Sequence, residues 1–226
     1  AFLGELQQEN LGAKEAIFQI FSGLEKIREK SSYRVARPQN LSIQDIVSNL
    51  DSHFQAKFNG TARLPVLAVN ALLMCICREF PRYSDKQLLP LSSHTSADSR
   101  SGSVGDIEIF DQNGTVFEAY EVKHNIEINR AIIDTAKEKI LSTTTKSYYI
   151  LSTNEKAGDF SKEIQEIRKS HGCVLIINGV LSTIKYSLRY VSDLNLFISN
   201  YADLIETDNV IKYEHKTYWD EIVLKK

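Results

Sequence analysis

Apolar residues recur at helical spacing at Ile17, Ile20, Phe21, Leu24 and Ile27, and again at Ile43, Ile46, Val47, Leu50, Phe54 and Phe58. This pattern predicts two amphipathic helices in the first 60 residues. Ser42 with Asp45 three positions later resembles a capping box at the start of the second. After Asn59-Gly60, Thr61 stands as the N-cap of a segment reaching about Phe80 that is apolar on every side, so a central, buried helix is expected. The period then shortens. Lys86 to Leu91 reads as a short strand, and Ser92 to Ser103 as a serine-rich polar loop longer than compact domains usually carry. Gly105 to Asp111 and Thr115 to His124 alternate on either side of Asn113-Gly114, the strongest local signal for a hairpin. Beyond it the spacing predicts a helix from about Asn129 to Leu141, a strand Ser147 to Ser152, a helix Phe160 to His171, a strand Cys173 to Ile177 and further helix from Ser182 to about Ile205. The element order predicts an α/β fold with a mixed sheet flanked by helices.

A two-residue Asn113-Gly114 loop pairs Gln112 with Thr115, so the numbers of opposing residues add to 227 and Asp106 faces Glu121. Side chains two apart on a strand share a face, which adds Lys123. Ile107, Ile109, Val116, Tyr120 and Val122, interrupted by Glu118, form the face expected to pack on a helix. The other carries Asp106, Glu108, Glu121 and Lys123 far from the turn, with Phe110, Phe117 and Ala119 nearer it. An odd-length loop or a bulge would separate the two acids. Opposed carboxylates in a half-buried site repel unless a cation lies between them. One or two carboxylates completed by waters and phosphate oxygens describe a Mg2+ site rather than a zinc site, and Lys123 could hold or deprotonate a water attacking a phosphate. The plain alternative is a solvated strand face, since Glu214 and Lys216 repeat the Glu-x-Lys spacing without a facing Asp.

Composition narrows the classes. With 27 Lys+Arg against 29 Asp+Glu, the chain is not a general polycation, which leaves only a local basic cleft as a route to nucleic acid. The longest apolar run, Leu64 to Cys77, is interrupted by Pro65 and Asn70 and is too short to span a bilayer. Nothing resembles a cleavable signal peptide. Cys75, Cys77 and Cys173 lack CxxC or Cys/His zinc spacing and read as reduced core residues of a cytoplasmic, prokaryotic-type intracellular protein.

Gly105-Asp106, then fourteen residues, then Glu121-Val122-Lys123, set in a helix, hairpin, strand, helix, strand order, resembles the PD-(D/E)xK nuclease superfamily, whose largest group is the type II restriction endonucleases. The resemblance covers roughly residues 61 to 178. It implies a restriction-endonuclease-like core in which Asp106 and Glu121 bind Mg2+ with the Val122 carbonyl, and Lys123 orients the nucleophilic water. Val104-Gly105 replaces the Pro expected near the first Asp, and the next helix lacks the Gln-x-x-x-Tyr pair of exonuclease and RecB-like members. The implied protein is a homodimeric, Mg2+-dependent, sequence-specific endonuclease acting on double-stranded DNA. Alternatives are a structure-specific or repair nuclease of the same superfamily and a nuclease-like domain that only binds. Residues 1–60 are then a helical extension for dimerisation or DNA binding, and 61–226 the nuclease core with C-terminal helices.

Glu108 and Glu79 are further candidates for a second metal, each weighed against a solvated glutamate, which the pattern favours. His94, Arg100, Ser101 and Ser103, in the loop before Asp106, could reach a DNA groove or form a polar loop only. Asn125, Asn129 and Arg130 follow the site strand and could grip phosphate, although a solvated helix face is the readier reading. His53, His171 and His215 have no Ser or Cys partner at a recognisable spacing. Tyr148 and Tyr149 are assigned to the core.

Overall fold

The computed structural model describes residues 13–31, 33–91 and 103–224. The chain divides into two compact units, residues 1–34 and 35–226. The smaller holds α1 (Ala13–Ser31), along which Ile17, Phe18, Ile20, Phe21 and Leu24 are exposed. The larger holds α2 (Ile43–Phe54), α3 (Arg63–Glu79), a 3₁₀ turn (Pro81–Tyr83), β1 (Gln87–Leu88), β2 (Ile107–Phe110), β3 (Val116–Lys123), α4 (Arg130–Leu141), β4 (Ser147–Ser152), α5 (Ser161–His171), β5 (Val174–Gly179), α6 (Val180–Leu188), α7 (Leu194–Thr207) and α8 (Tyr213–Leu224).

The strands lie in chain order, β1-β2-β3-β4-β5. The first two pairings are antiparallel and the last two parallel; the β3–β4 and β4–β5 connections each contain the helix that a parallel crossover needs. Both crossover helices cover one face, where Ile133, Ala136 and Ile140 of α4 and Ile167 of α5 pack on Ala119, Tyr148, Ile150 and Leu175. The opposite face meets α3, the predicted buried helix, whose Leu64, Leu67, Ala68 and Leu72 are essentially inaccessible. Among the described residues no helix is long and apolar enough to cross a membrane, and all three cysteines are free.

Several boundaries differ from expectation for identifiable reasons. Ala62, not Thr61, is the N-cap of α3; the Thr61 hydroxyl instead donates to the carbonyls of Ala56 and Phe58, at 2.9 and 2.6 Å, closing the preceding turn. The strand predicted over Lys86–Leu91 contracts to two residues ahead of Pro90, which has no N–H for a ladder. The helix predicted to run from Ser182 is two helices. The second starts anew at Asp193, whose carboxylate accepts from the N–H groups of Asn195 and Leu196. The Glu214 and Lys216 pair lies on α8, a helix the periodicity did not single out. There the Lys216 ammonium donates to the Glu206 carbonyl at 2.8 Å.

The hairpin turn is one residue longer than predicted. Asp111 N–H donates to Thr115 O at 2.9 Å, so Gln112, Asn113 and Gly114 form a three-residue loop with Gly114 at φ +73°. Phe110 pairs with Val116, but Ile109 pairs with Glu118, leaving Phe117 as the extra residue of a bulge. The odd loop shifts the register by one and the bulge shifts it back. From Ile109 outward the opposed numbers again add to 227, through Ile107 and Tyr120. Near the turn two side chains change sides: Val116 joins the α4/α5 core, while Phe117 packs edge-on against Tyr83 and beneath Arg82. Glu118, fully buried on the α3 side, accepts from Arg82 at 2.5 Å, Tyr83 at 3.0 Å and Tyr120 at 2.9 Å, which satisfies the buried charge.

Candidate active site

Asp106 immediately precedes β2, and its N–H extends the hairpin by donating to Tyr120 O at 2.8 Å. Its carboxylate turns back across the strand, where Oδ2 accepts the Val122 N–H at 2.8 Å. This anchors one acid to the middle residue of Glu121-Val122-Lys123. Lys123 O accepts from Thr153 N in the parallel pairing with β4. Because a strand residue's N–H and C=O point to the same side and alternate from residue to residue, the Val122 carbonyl points toward the Asp106 side.

Gly105 makes the approach possible. A Cβ there would lie 2.7 Å from Tyr120 O and 3.1 Å from Tyr120 C and N, all backbone atoms. A Gly105→Ala variant is therefore expected to push the 103–106 segment off β3, with a destabilisation of about 1–3 kcal/mol. Urea denaturation checks this, and full stability in the variant would show that the strands can part without cost.

Glu121 and Lys123 share one face of β3, as predicted, and that face is covered by α4, whereas helix packing was expected on the other. Lys123 Nζ lies 2.5 Å from Glu121 Oε1, and Lys139 Nζ, from the third turn of α4, lies 2.8 Å from Oε2. The Tyr148 hydroxyl donates to Val104 O at 2.9 Å and lies 3.3 Å from the same Oε2. Tyr148 is thus both a core residue, as expected, and a hydroxyl aimed at the site. Glu121, Lys123, Lys139 and Tyr148 line an open cavity of about 370 Å³ whose outer wall is Ile126, Asn129, Ala131, Ile132, Thr135 and Ala136. Lys139 was not among the sequence candidates. The available signal was its place beside the Ile132, Ala136 and Ile140 stripe on a crossover helix that must cover this face of β3.

The electrostatics follow from burial and charge. Burial pushes the Asp106 carboxyl above its ordinary range, the Glu121 charge pushes it further, and the Val122 N–H only partly offsets them. Burial also acts on Glu121, but hydrogen bonds from Lys123 and Lys139 outweigh it and hold that carboxyl below the usual range. Burial, with the Glu121 charge adding to it, raises Tyr148 far above an ordinary phenol, so it remains a neutral donor.

The other sequence candidates disperse. Glu108 Oε1 accepts the N–H groups of Val104 and Gly105, at 2.5 and 3.3 Å, and lies 3.2 Å from the Ser103 hydroxyl. Glu108 and Ser103 therefore shape the segment leading to Asp106, a role neither had been given. Glu79 accepts from Ser192 N at 2.9 Å at the end of α3, in the helical layer on the opposite face, and is not brought to the site. Asn125, at φ +54°, donates its N–H to Thr153 Oγ1 in the turn after β3. Asn129 is the N-cap of α4, accepting from Ile132 N at 3.2 Å. The Arg130 guanidinium pairs with Asp134 and Glu163, which commits it to the α4–α5 contact rather than to an open phosphate grip. His94, Arg100 and Ser101 lie outside the described residues.

Among the described residues no three His, Cys, Asp or Glu side chains cluster as a metal-ligand set. Two carboxylates and a main-chain carbonyl fall short of such a cluster, yet they are the donors that suit Mg2+, which retains waters and takes substrate phosphate oxygens. Burial and the Glu121 charge raise the Asp106 carboxyl, while Lys123 and Lys139 already occupy both Glu121 oxygens, so a divalent cation would bind here by displacing an ammonium. The chain matches no known protein family and no curated protein sequence.

Proposed function

We propose that the chain is a Mg2+-dependent endonuclease of the PD-(D/E)xK type that hydrolyses phosphodiester bonds of double-stranded DNA, with site-specific restriction as the expected biological form. The observation that carries this reading is the hydrogen bond from Val122 N–H to Asp106 Oδ2. It sets one carboxylate beside the Glu121-Val122-Lys123 segment on the wall of a cavity. Asp106, Glu121 and the Val122 carbonyl would hold the ion. Bound Mg2+ would supply Lewis acidity at the phosphoryl group and lower the pKa of a coordinated water.

The chain's own groups do the rest. Lys123 Nζ, on the rim of the cavity, positions the attacking water in line with the leaving 3' oxygen and offers a compact positive charge to the phosphorane-like transition state. The products carry a 5' phosphate. Tyr148 keeps the Glu121 oxygens aimed at the cavity. Two related sites would cut both strands of a palindrome, so a homodimer is the proposed assembly.

Incubating the protein with mixed-sequence plasmid DNA and Mg2+, beside EDTA and a Lys123→Ala variant, tests the reading. Discrete fragments from the wild type, with the variant slowed at least roughly 100-fold, are expected. A smear would assign a nonspecific or structure-specific nuclease, and intact DNA in every lane would overturn the catalytic reading in favour of a binding domain.

A further inference from the structure

Glu121 is held by two ammonium groups, Lys123 on one carboxylate oxygen and Lys139 on the other. A half-buried carboxylate needs one cation for neutrality. The second lysine acquires a meaning when Asp106 is included, because Asp106, Glu121, Lys123 and Lys139 together carry no net charge. A divalent ion entering this set would leave it doubly positive, and it would have to compete with an ammonium for each Glu121 oxygen. An anion arriving with the metal removes both obstacles if one lysine can transfer to it.

The two lysines are not equivalent in this respect. Lys123 is rooted on the same strand as Glu121, two residues away, and stays beside it. Lys139 reaches in from α4, is about one third exposed at its side chain, and stands on the wall of the open 370 Å³ cavity. A swing about its flexible stem would carry Nζ from Glu121 Oε2 into that space with no backbone movement.

We propose that Lys139 is a substrate-operated latch: in the free protein it occupies Glu121 Oε2, and in the complex it transfers to a backbone phosphate of the DNA, which frees that oxygen for the metal. This rests on the nuclease reading above. It makes Mg2+ and DNA bind with positive coupling, and by linkage each strengthens the other by the same factor. In the bound complex Lys139 touches substrate, and in the free protein it restrains metal entry.

The latch predicts opposite effects of one substitution on two ligands. In Lys139→Met the Glu121 oxygen is released permanently, so Mg2+ binding to the DNA-free protein, followed by calorimetry, is expected to tighten several-fold. Binding of a labelled mixed-sequence duplex in EDTA is expected to weaken, and the slope of log affinity against log salt to fall by about one, as for loss of one phosphate contact. Lys139→Arg, which keeps the charge, should retain the wild-type salt slope. A thermal melt of each variant shows that the fold persists.

An unchanged salt slope in Lys139→Met, or unchanged or weaker Mg2+ binding, overturns the latch while leaving the nuclease reading intact. A wild type that binds neither Mg2+ nor duplex overturns both.

Discussion

Glu121→Gln is expected to lower the single-turnover rate of DNA cleavage by roughly 10³-fold or more, since under the proposed function it removes a metal ligand and several kcal/mol of charge stabilisation at the phosphate. The substitution nearly conserves volume, so Tyr148 and the α4 wall keep their packing. What changes is charge. Lys123 and Lys139 are left facing a neutral amide and one another, and Asp106 loses the neighbour whose charge raises its carboxyl. Asp106 in Glu121→Gln should therefore titrate closer to an ordinary aspartate, a shift readable by carboxyl NMR. A gel time course at saturating Mg2+ measures the rate, and a melt measures the fold. Cleavage within ten-fold of wild type would remove Glu121 from the chemistry and with it the proposed metal centre.

The second large effect concerns stability at acid pH. His53 is completely buried between α2, α7 and α8, and burial pushes its imidazole down to about 3. Its hydrogen bonds select one neutral tautomer: Nε2–H donates to the His215 carbonyl at 3.1 Å, so Nδ1 accepts from the Tyr201 hydroxyl at 3.0 Å. An unfolded histidine titrates near 6.5, so the native state binds fewer protons than the unfolded state between that value and about 3. The stabilisation is complete above pH 6.5 and is lost progressively as pH falls toward 3, reaching on the order of 3 kcal/mol by pH 4.

His215 acts in the same direction, because burial lowers it too, and its buried Nδ1 has no hydrogen-bond partner among the described residues. Urea denaturation at pH 7, 6, 5 and 4, for wild type and His53→Gln, separates the terms. The variant should be less stable at pH 7 but should lose clearly less between pH 6.5 and 4. Parallel losses in the two proteins would show that His53 protonates in the fold without cost.

Much of this architecture was readable from local rules, although one success depended on two deviations that cancel. A two-residue turn would give opposed numbers adding to 227 throughout; the turn has three residues and Phe117 is bulged, so that sum holds from Ile109–Glu118 to Ile107–Tyr120, and Asp106, just before β2, meets β3 through its N–H on Tyr120 O and its carboxylate on Val122 N–H. The register survived at the far end, where alternation is strict, and failed near the tip, where Val116 and Phe117 exchange sides. Capping chemistry was legible at Ser42, where the box with Asp45 forms, but not at Thr61, because a threonine hydroxyl can bond backward as readily as forward.

The break between α6 and α7 was missed because apolar residues continue through Val191, and only the Asp193 side chain marks the restart. Lys139 was invisible to motif spacing because its contact with Glu121 depends on how α4 lies across β3, a tertiary relation. The fates of Glu79 and Arg130 were equally nonlocal. Each is a charged residue at a helix terminus whose partner, Ser192 N–H in one case and Glu163 in the other, comes from a distant part of the chain.

The paired irregularities of the hairpin bear on how this site could have tolerated change. Between the tip and the acids lies a bulge that takes up one residue of slippage, so the end bearing the acids is insulated from the exact length of the loop. Lineages carrying longer or shorter tips could keep the same constellation by gaining or losing the bulge in step. The tip is likewise a natural place to graft a peptide tag or a second recognition module, since length added there is absorbed before it reaches the acids.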